Sequence, residues 1–307
     1  MSFWYIMAFF EILITILAFI SNTIFVTLIY KAKNLHFNCR SVLLIFSVSM
    51  YTLTISHGLT VLEYTITRKS YEYIYFTSLT GFWCVTIHEC AYCFQSLCLI
   101  CLSIDRLTAG TCIKLYNSLK FKLFLILFGL LSIAISMAFS YTIHYVELNL
   151  IWPTLPMNMI DITGTIVLVV AWKSSFRNYR NTVGTASLDY RFQLSEVYKW
   201  TRTLLPGIMF LSACKVFIIL DIWILVTSEL KGDEAGVYLF FYNNMLNFHT
   251  IILPFVTFYR HKTVRQLLGK QCDQQQNGFK MNTLDGKPIR LSPSSNDYFE
   301  YLKRNWN

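Results

Sequence analysis

Met7–Tyr30 reads MAFFEILITILAFISNTIFVTLIY, an apolar run with one charged side chain, Glu11. An α-helix rises about 1.5 Å per residue, so about 20 apolar residues cross a hydrocarbon core of about 30 Å. Six further apolar stretches follow it: Ser41–Leu62, Phe76–Ile104, Phe121–Tyr145, Met157–Trp172, Leu204–Thr227 and Val237–Tyr259. The fifth is short unless its helix begins nearer Ile151, upstream of Pro153 and Pro156. The expected fold is an all-α membrane protein, a seven-transmembrane helix bundle over residues 1–259, followed by a tail over 260–307.

Composition supports a bilayer as solvent. Of 307 residues 55% are hydrophobic, 17% aromatic and only 14% charged, where a soluble domain carries about 25% charge. The net charge of +9 could suggest a nucleic-acid partner, but its distribution argues for topology instead. The first, third and fifth connections hold Lys31, Lys33, Arg40, Arg106, Lys114, Lys120, Lys122, Lys173, Arg177, Arg180, Arg191, Lys199 and Arg202. The second, fourth and sixth hold only Arg68, Lys69 and Lys231. An excess of Lys and Arg in short loops marks the cytoplasmic side, so the N-terminus is expected outside and the C-terminus in the cytoplasm. No nucleic acid is needed to explain the charge.

Met7–Tyr30 is too long for the apolar core of a cleaved signal peptide, and no basic residue precedes it, so it is expected to act as an uncleaved signal anchor. The outer loops are short and the chain has no Asn-x-Ser/Thr sequon. This favours a small molecule entering between helices over a large protein gripped by an ectodomain. Cys90, Cys93, Cys98 and Cys101 are spaced for helix packing, and Cys90-x-x-Cys93 lacks the second pair of a zinc site, so no metal or cofactor is expected. In the tail, Arg260–Lys270 has the pattern of a short amphipathic helix on the inner leaflet. Cys272 follows it as a lipidation candidate, and the remainder is polar and expected to be disordered.

Ionisable groups inside the spans cost about 2.5–3.5 kcal/mol at the bilayer centre and therefore face partners in the bundle. Glu11, His57, His88, Glu89, Lys215 and Asp221 form the candidate ligand pocket, with His249 in the same class. Counting helical rise outward from Arg106 and from Arg202 gives Glu89 and Lys215 compatible heights, and they are expected to pair. Such a pair serves either as a structural tie or as a pocket wall. Lys215 and Asp221, six residues apart, point in different directions around their helix and are not expected to meet. Tryptophans near span ends, among them Trp4, Trp83, Trp152 and Trp172, fit interfacial belts. The chain contains no Gly-x-Ser-x-Gly, His-Glu-x-x-His or phosphate-binding loop, and no enzymatic activity is expected.

Ser103-Ile104-Asp105-Arg106-Leu107-Thr108-Ala109 places an acid beside an arginine where the third span meets the basic side. Leu188-Asp189-Tyr190-Arg191-Phe192-Gln193-Leu194-Ser195-Glu196, followed by Pro206, resembles the Arg-aromatic-Gln-x-x-Glu-Asn signature of nematode serpentine chemoreceptors in the Sra superfamily. Phe9-Phe10-Glu11-Ile12-Leu13, Leu35-His36-Phe37-Asn38 and Asp105–Ala109 with Lys114-Leu115-Tyr116 resemble its Sre family. The likeness spans most of residues 9–262. Val197 stands where the signature has Asn, Asp105 where Glu is commoner, and the last span keeps Leu253-Pro254 without an Asn-Pro pair. The loop Val146–Asn158 has no cysteine, so the disulfide that joins this loop to the third helix in many rhodopsin-like receptors has no partner here.

The resemblance implies a G-protein-coupled receptor in the plasma membrane of a sensory neuron, at its cilium, binding a small molecule outside and a heterotrimeric G protein inside. It implies a coupling surface built from Asp105, Arg106, Arg191, Gln193 and Glu196, in which the acid restrains the arginine at rest. The rival class is a transporter or ligand-gated channel with Glu89, Lys215 and Asp221 along its path.

Overall fold

Each of the seven apolar stretches holds a long helix, and six of the helices cover their whole stretch; the third begins at Leu79, three residues after Phe76, and runs on to Thr111. The computed structural model describes residues 2–32, 35–67, 78–145, 151–182, 188–228 and 233–260. The long helices are α1 Ser2–Lys31, α2 Phe37–Thr67, α3 Leu79–Thr111, α4 Leu119–Tyr145, α5 Ile151–Asn181, α6 Leu188–Thr227 and α7 Asp233–Arg260. A single turn, Ile113–Tyr116, joins α3 to α4, and no strand occurs among the described residues. The tail from 261 onward, with the expected amphipathic segment and Cys272, lies outside them.

Local chemistry sets several of the ends. Ser78 caps α3 by accepting the Gly81 N–H at 3.4 Å. The fifth helix does begin at Ile151. Pro153 sits in its first turn, where no intrahelical N–H partner is needed, and Pro156 forgoes one bond further in. Helix α6 has 40 residues, or about 60 Å, and begins at Leu188, far ahead of the apolar stretch that starts at Leu204.

Six of the seven long helices are long and apolar enough to cross a membrane. The exception is α7, with 28 residues, whose apolarity is lowered by Asn243, Asn244, Asn247 and His249. All four are buried against other helices. The surface carries the opposite pattern: Phe9 is 63% exposed, Leu130 61% and Phe255 66%, while Asn22, Ser96 and Lys215 are sealed inside. Apolar outside and polar inside is the arrangement of a multi-pass helical protein in a lipid bilayer, where a helix satisfies its own backbone.

Helix α3 stands at the centre and packs on α2, α4, α5 and α6. Helix α1 lies against α2 and α7, and α6 lies between α5 and α7. The tightest partnership is α3 with α5. They run parallel with a near-constant offset: Tyr92 meets Asn158, 66 residues on, and Ser96 meets Asp161, 65 residues on. Two glycines permit this approach. A Cβ on Gly164 would lie 3.2 Å from the Leu99 side chain, and one on Gly110 would collide with Ser175. Ser103 Oγ donates to the Gly164 carbonyl at 2.7 Å, and Asn178 Nδ2 to the Gly110 carbonyl at 2.8 Å.

Gly110→Val should therefore force α3 and α5 apart at one end. Overpacking of this kind costs about 1–3 kcal/mol, so the apparent melting temperature in detergent should drop. The same change at Gly129, where a Cβ would meet nothing within 4 Å, should leave it nearly unchanged. Equal behaviour of the two variants would contradict the close α3–α5 seat.

Candidate functional site

Charged and polar side chains form three layers inside the bundle. The layer at the α3 C-terminus centres on Arg106, which is 1% exposed. Its Nε and Nη2 donate to Asp105 Oδ2 at 2.9 and 2.5 Å. Nη2 also donates to the Tyr116 hydroxyl at 2.9 Å. Tyr116 is buried by the turn that follows α3 and packs on the His36 ring at 4.4 Å and on Phe121 at 5.5 Å. Burial first, and then the Arg106 charge, push the His36 imidazole below its ordinary range. The acid beside the arginine thus does pair with it, as the sequence suggested. The lid supplied by Tyr116 was not foreseen.

The α6 residues expected to join this layer make other contacts. Glu196 Oε1 accepts from Lys199 Nζ at 2.8 Å within its own helix. The Arg191 guanidinium lies 5.4 Å from the centre of the Tyr179 ring on α5. Gln193 is half-buried on the same turn. All three are at the end of the bundle that holds Arg106, because Val197 of α6 packs with Ala109 of α3.

The middle layer departs from expectation. Lys215 pairs with Asp161 of α5 at 3.0 Å, both buried, and not with Glu89. Its Nζ also donates to Ser96 Oγ of α3 at 2.6 Å, and Ser96 in turn donates to Asp161 Oδ2 at 3.0 Å. The ammonium lies 4.4 Å from the centre of the Tyr92 ring, within cation–π range. Tyr92 Oη accepts from Asn158 Nδ2 at 3.3 Å.

The direction of side chains explains the correction. A helical Cα–Cβ bond leans toward the helix N-terminus. On α6 that is the Arg106 end, so Lys215 reaches inward. On α3 it is the opposite end, so Glu89 reaches outward. Asp161 was overlooked although its signal equals that of Lys215: a charge within the apolar stretch Met157–Trp172.

The third layer is nearest the opposite end. Glu89 Oε1 accepts the Tyr242 hydroxyl of α7 at 3.1 Å. His88 Nδ1 lies 3.4 Å from Ser56 Oγ of α2, and its ring is 6.0 Å from that of Tyr242. Glu11 of α1 and His57 of α2 approach to 3.8 Å in full burial. Asp221 is half-buried, one to two turns outward of Lys215, and has no ion-pair partner among the described residues.

Within the second and third layers lie polar groups with no hydrogen-bond partner. Both amide atoms of Gln95, both ring nitrogens of His249 and Nε2 of His88 are buried and unsatisfied. Seven residues inward from Glu89 and Tyr242 lie Ser96 and His249, about 10 Å down each helix. His249 thereby shares the level of Lys215, and its ring is 6.1 Å from that of Phe46 on α2. Leaving such groups unpaired costs about 1–3 kcal/mol each, and their concentration in these two neighbouring layers makes this interior a candidate binding site for a hydrogen-bonding molecule. No protein-family model matches the chain, and no curated protein is significantly similar to it.

Proposed function

We propose that this chain is a seven-helix, G-protein-coupled chemosensory receptor of the nematode serpentine kind. It sits in the plasma membrane of a sensory neuron with its N-terminus outside and its C-terminus in the cytoplasm. A small molecule entering from outside binds among Glu11, His57, His88, Glu89, Gln95 and His249. A heterotrimeric G protein engages the opposite end, at Arg106, Arg191, Gln193 and Glu196. The observation that carries the reading is the buried Asp105–Arg106–Tyr116 cluster at the basic end of the central helix. A guanidinium held by its neighbour and capped by a tyrosine is poised for exposure when α6 moves aside. The motif likeness at Arg191–Glu196 adds to it.

A panel of volatile and soluble small molecules, read out by intracellular calcium, tests the assignment in cells with and without a promiscuous Gα subunit. Responses that require the Gα subunit support it. Responses without it, or substrate flux in proteoliposomes, would move the protein to the transporter or channel class, with Glu89, Lys215 and Asp221 along a path.

Topology has its own test. The loop charges put the tail inside, so an epitope appended after Asn307 should stain only in permeabilised cells. Staining of intact cells would reverse the assigned orientation.

A further inference from the structure

We infer that the Asp161–Ser96–Lys215 cluster is a releasable tie that sets the position of α6 against the rigid α3–α5 pair. Three observations lead to it. Helices α3 and α5 are seated together by Gly110 and Gly164 and cross-bonded through Ser103 and Asn178. Helix α6 packs chiefly on α5 and α7 and only lightly on α3. At the middle of the bundle Lys215 joins it to α3 through Ser96 Oγ and the face of the Tyr92 ring, while Ser212, one turn away, shares a 2.6 Å hydroxyl bond with Thr165 of α5.

The chemistry suits a latch better than a rivet. A buried ion pair adds little net stability over an apolar pair of equal volume, yet it specifies one arrangement of the helices that carry it. Ser96 makes the arrangement three-way, accepting from Lys215 and donating to Asp161. Helix α6 can shift against both helices only when the ammonium gives up its bonds to Ser96 and Asp161 and Ser212 gives up its bond to Thr165. The orphaned Asp161 Oδ1 and the unpartnered Gln95 and His249 lie at the same depth. A hydrogen-bonding molecule arriving there would compete for these same partners. The purpose of the motion rests on the receptor reading above; the tie itself does not.

Disulfide trapping tests it in the full-length protein. Ala109 of α3 and Val197 of α6 pack in one apolar cluster at the Arg106 end. With Ala109→Cys and Val197→Cys added to a Cys112→Ser background, the initial rate of oxidative cross-linking reports how closed that end is, each substitution alone serving as a control for the other native thiols. In the Asp161→Asn/Lys215→Met background, which leaves neither member of this pair charged, surface level should be near normal while the cross-linking rate falls several-fold. Ser96→Ala removes the α3 limb alone and should give a smaller fall at normal surface level.

An unchanged rate in a well-expressed double variant would overturn the tie, leaving the pair a purely structural one. If the double variant fails to reach the surface, an unchanged rate in Ser96→Ala overturns it equally. A reduced rate with no rise in G-protein signalling keeps the tie and counts against the receptor assignment.

Discussion

Arg106→Ala should abolish the agonist response per receptor at the surface, and Asp105→Asn should raise signalling in the absence of agonist, if the proposed receptor reading holds. The Asp105 carboxylate holds both Nε and Nη2 of Arg106. A hydrogen bond to a charged group contributes about 1.5–3 kcal/mol, which is about a ten- to hundred-fold bias toward the restrained arginine. Asp105→Asn removes most of that bias and leaves the weaker bond to Tyr116. Tyr116→Phe removes the lid bond only, so its basal rise should be the smaller of the two. Arg106→Ala deletes the group that the G protein would meet, so no ligand can rescue it. Responses have to be normalised to surface receptor, because Arg106→Ala leaves Asp105 buried without its cation. Wild-type-sized responses from Arg106→Ala would remove the principal support for coupling through this end.

The second large effect is on folding. Lys215→Met strands the Asp161 carboxylate in a sealed interior, and Asp161→Asn strands the ammonium. Removing one member of a buried pair costs about 3–5 kcal/mol, since the other keeps its charge in a low-dielectric environment. Each single variant should lose much of its surface expression and thermal stability in detergent. The double variant should recover most of both, because two neutral groups need no counter-charge. Glu89→Gln supplies the comparison. Its carboxylate bonds Tyr242 on another helix, so combining it with Lys215→Met should give simple additivity. Coupling between Glu89 and Lys215, with none between Asp161 and Lys215, would refute the arrangement of the middle layer.

These two residues also mark how far the sequence alone could be followed. The helices were legible because a bilayer demands length and apolarity, and both are countable. The uncertain start of the fifth resolved to Ile151, since Pro153 in the first turn does not stop a helix and Pro156 costs it a single bond. The seventh shows where counting weakens, because its polar residues are turned inward among neighbours. Local pairing was legible at Asp105–Arg106, where the partners are adjacent in the chain. Pairing between helices was not. Helical rise gives the height of an α-carbon, but a lysine extends several ångströms toward its helix N-terminus. That offset carried Lys215 away from Glu89 and into reach of Ser96 and Asp161. Ser96, Gln95 and Tyr116 are ordinary residues whose importance comes only from what surrounds them.

Gly207 gives α6 a mechanical advantage. A Cβ there would lie 2.5 Å from Leu253 Cδ1 and 3.3 Å from Leu253 Cα on α7, so the two helices bear on each other at that point. Lys215 is eight residues to one side, about 12 Å, and Leu188 is nineteen residues to the other, about 28 Å. Pro206 stands next to Gly207 and withholds the N–H that would bond back one turn, so α6 bends most easily at the very place where it bears on α7. The two arms then hinge about this point, and for the same angle the Leu188 tip travels about 2.4 times as far as Lys215. A small change of bend deep in the bundle would thus be largest at the end that faces Arg106.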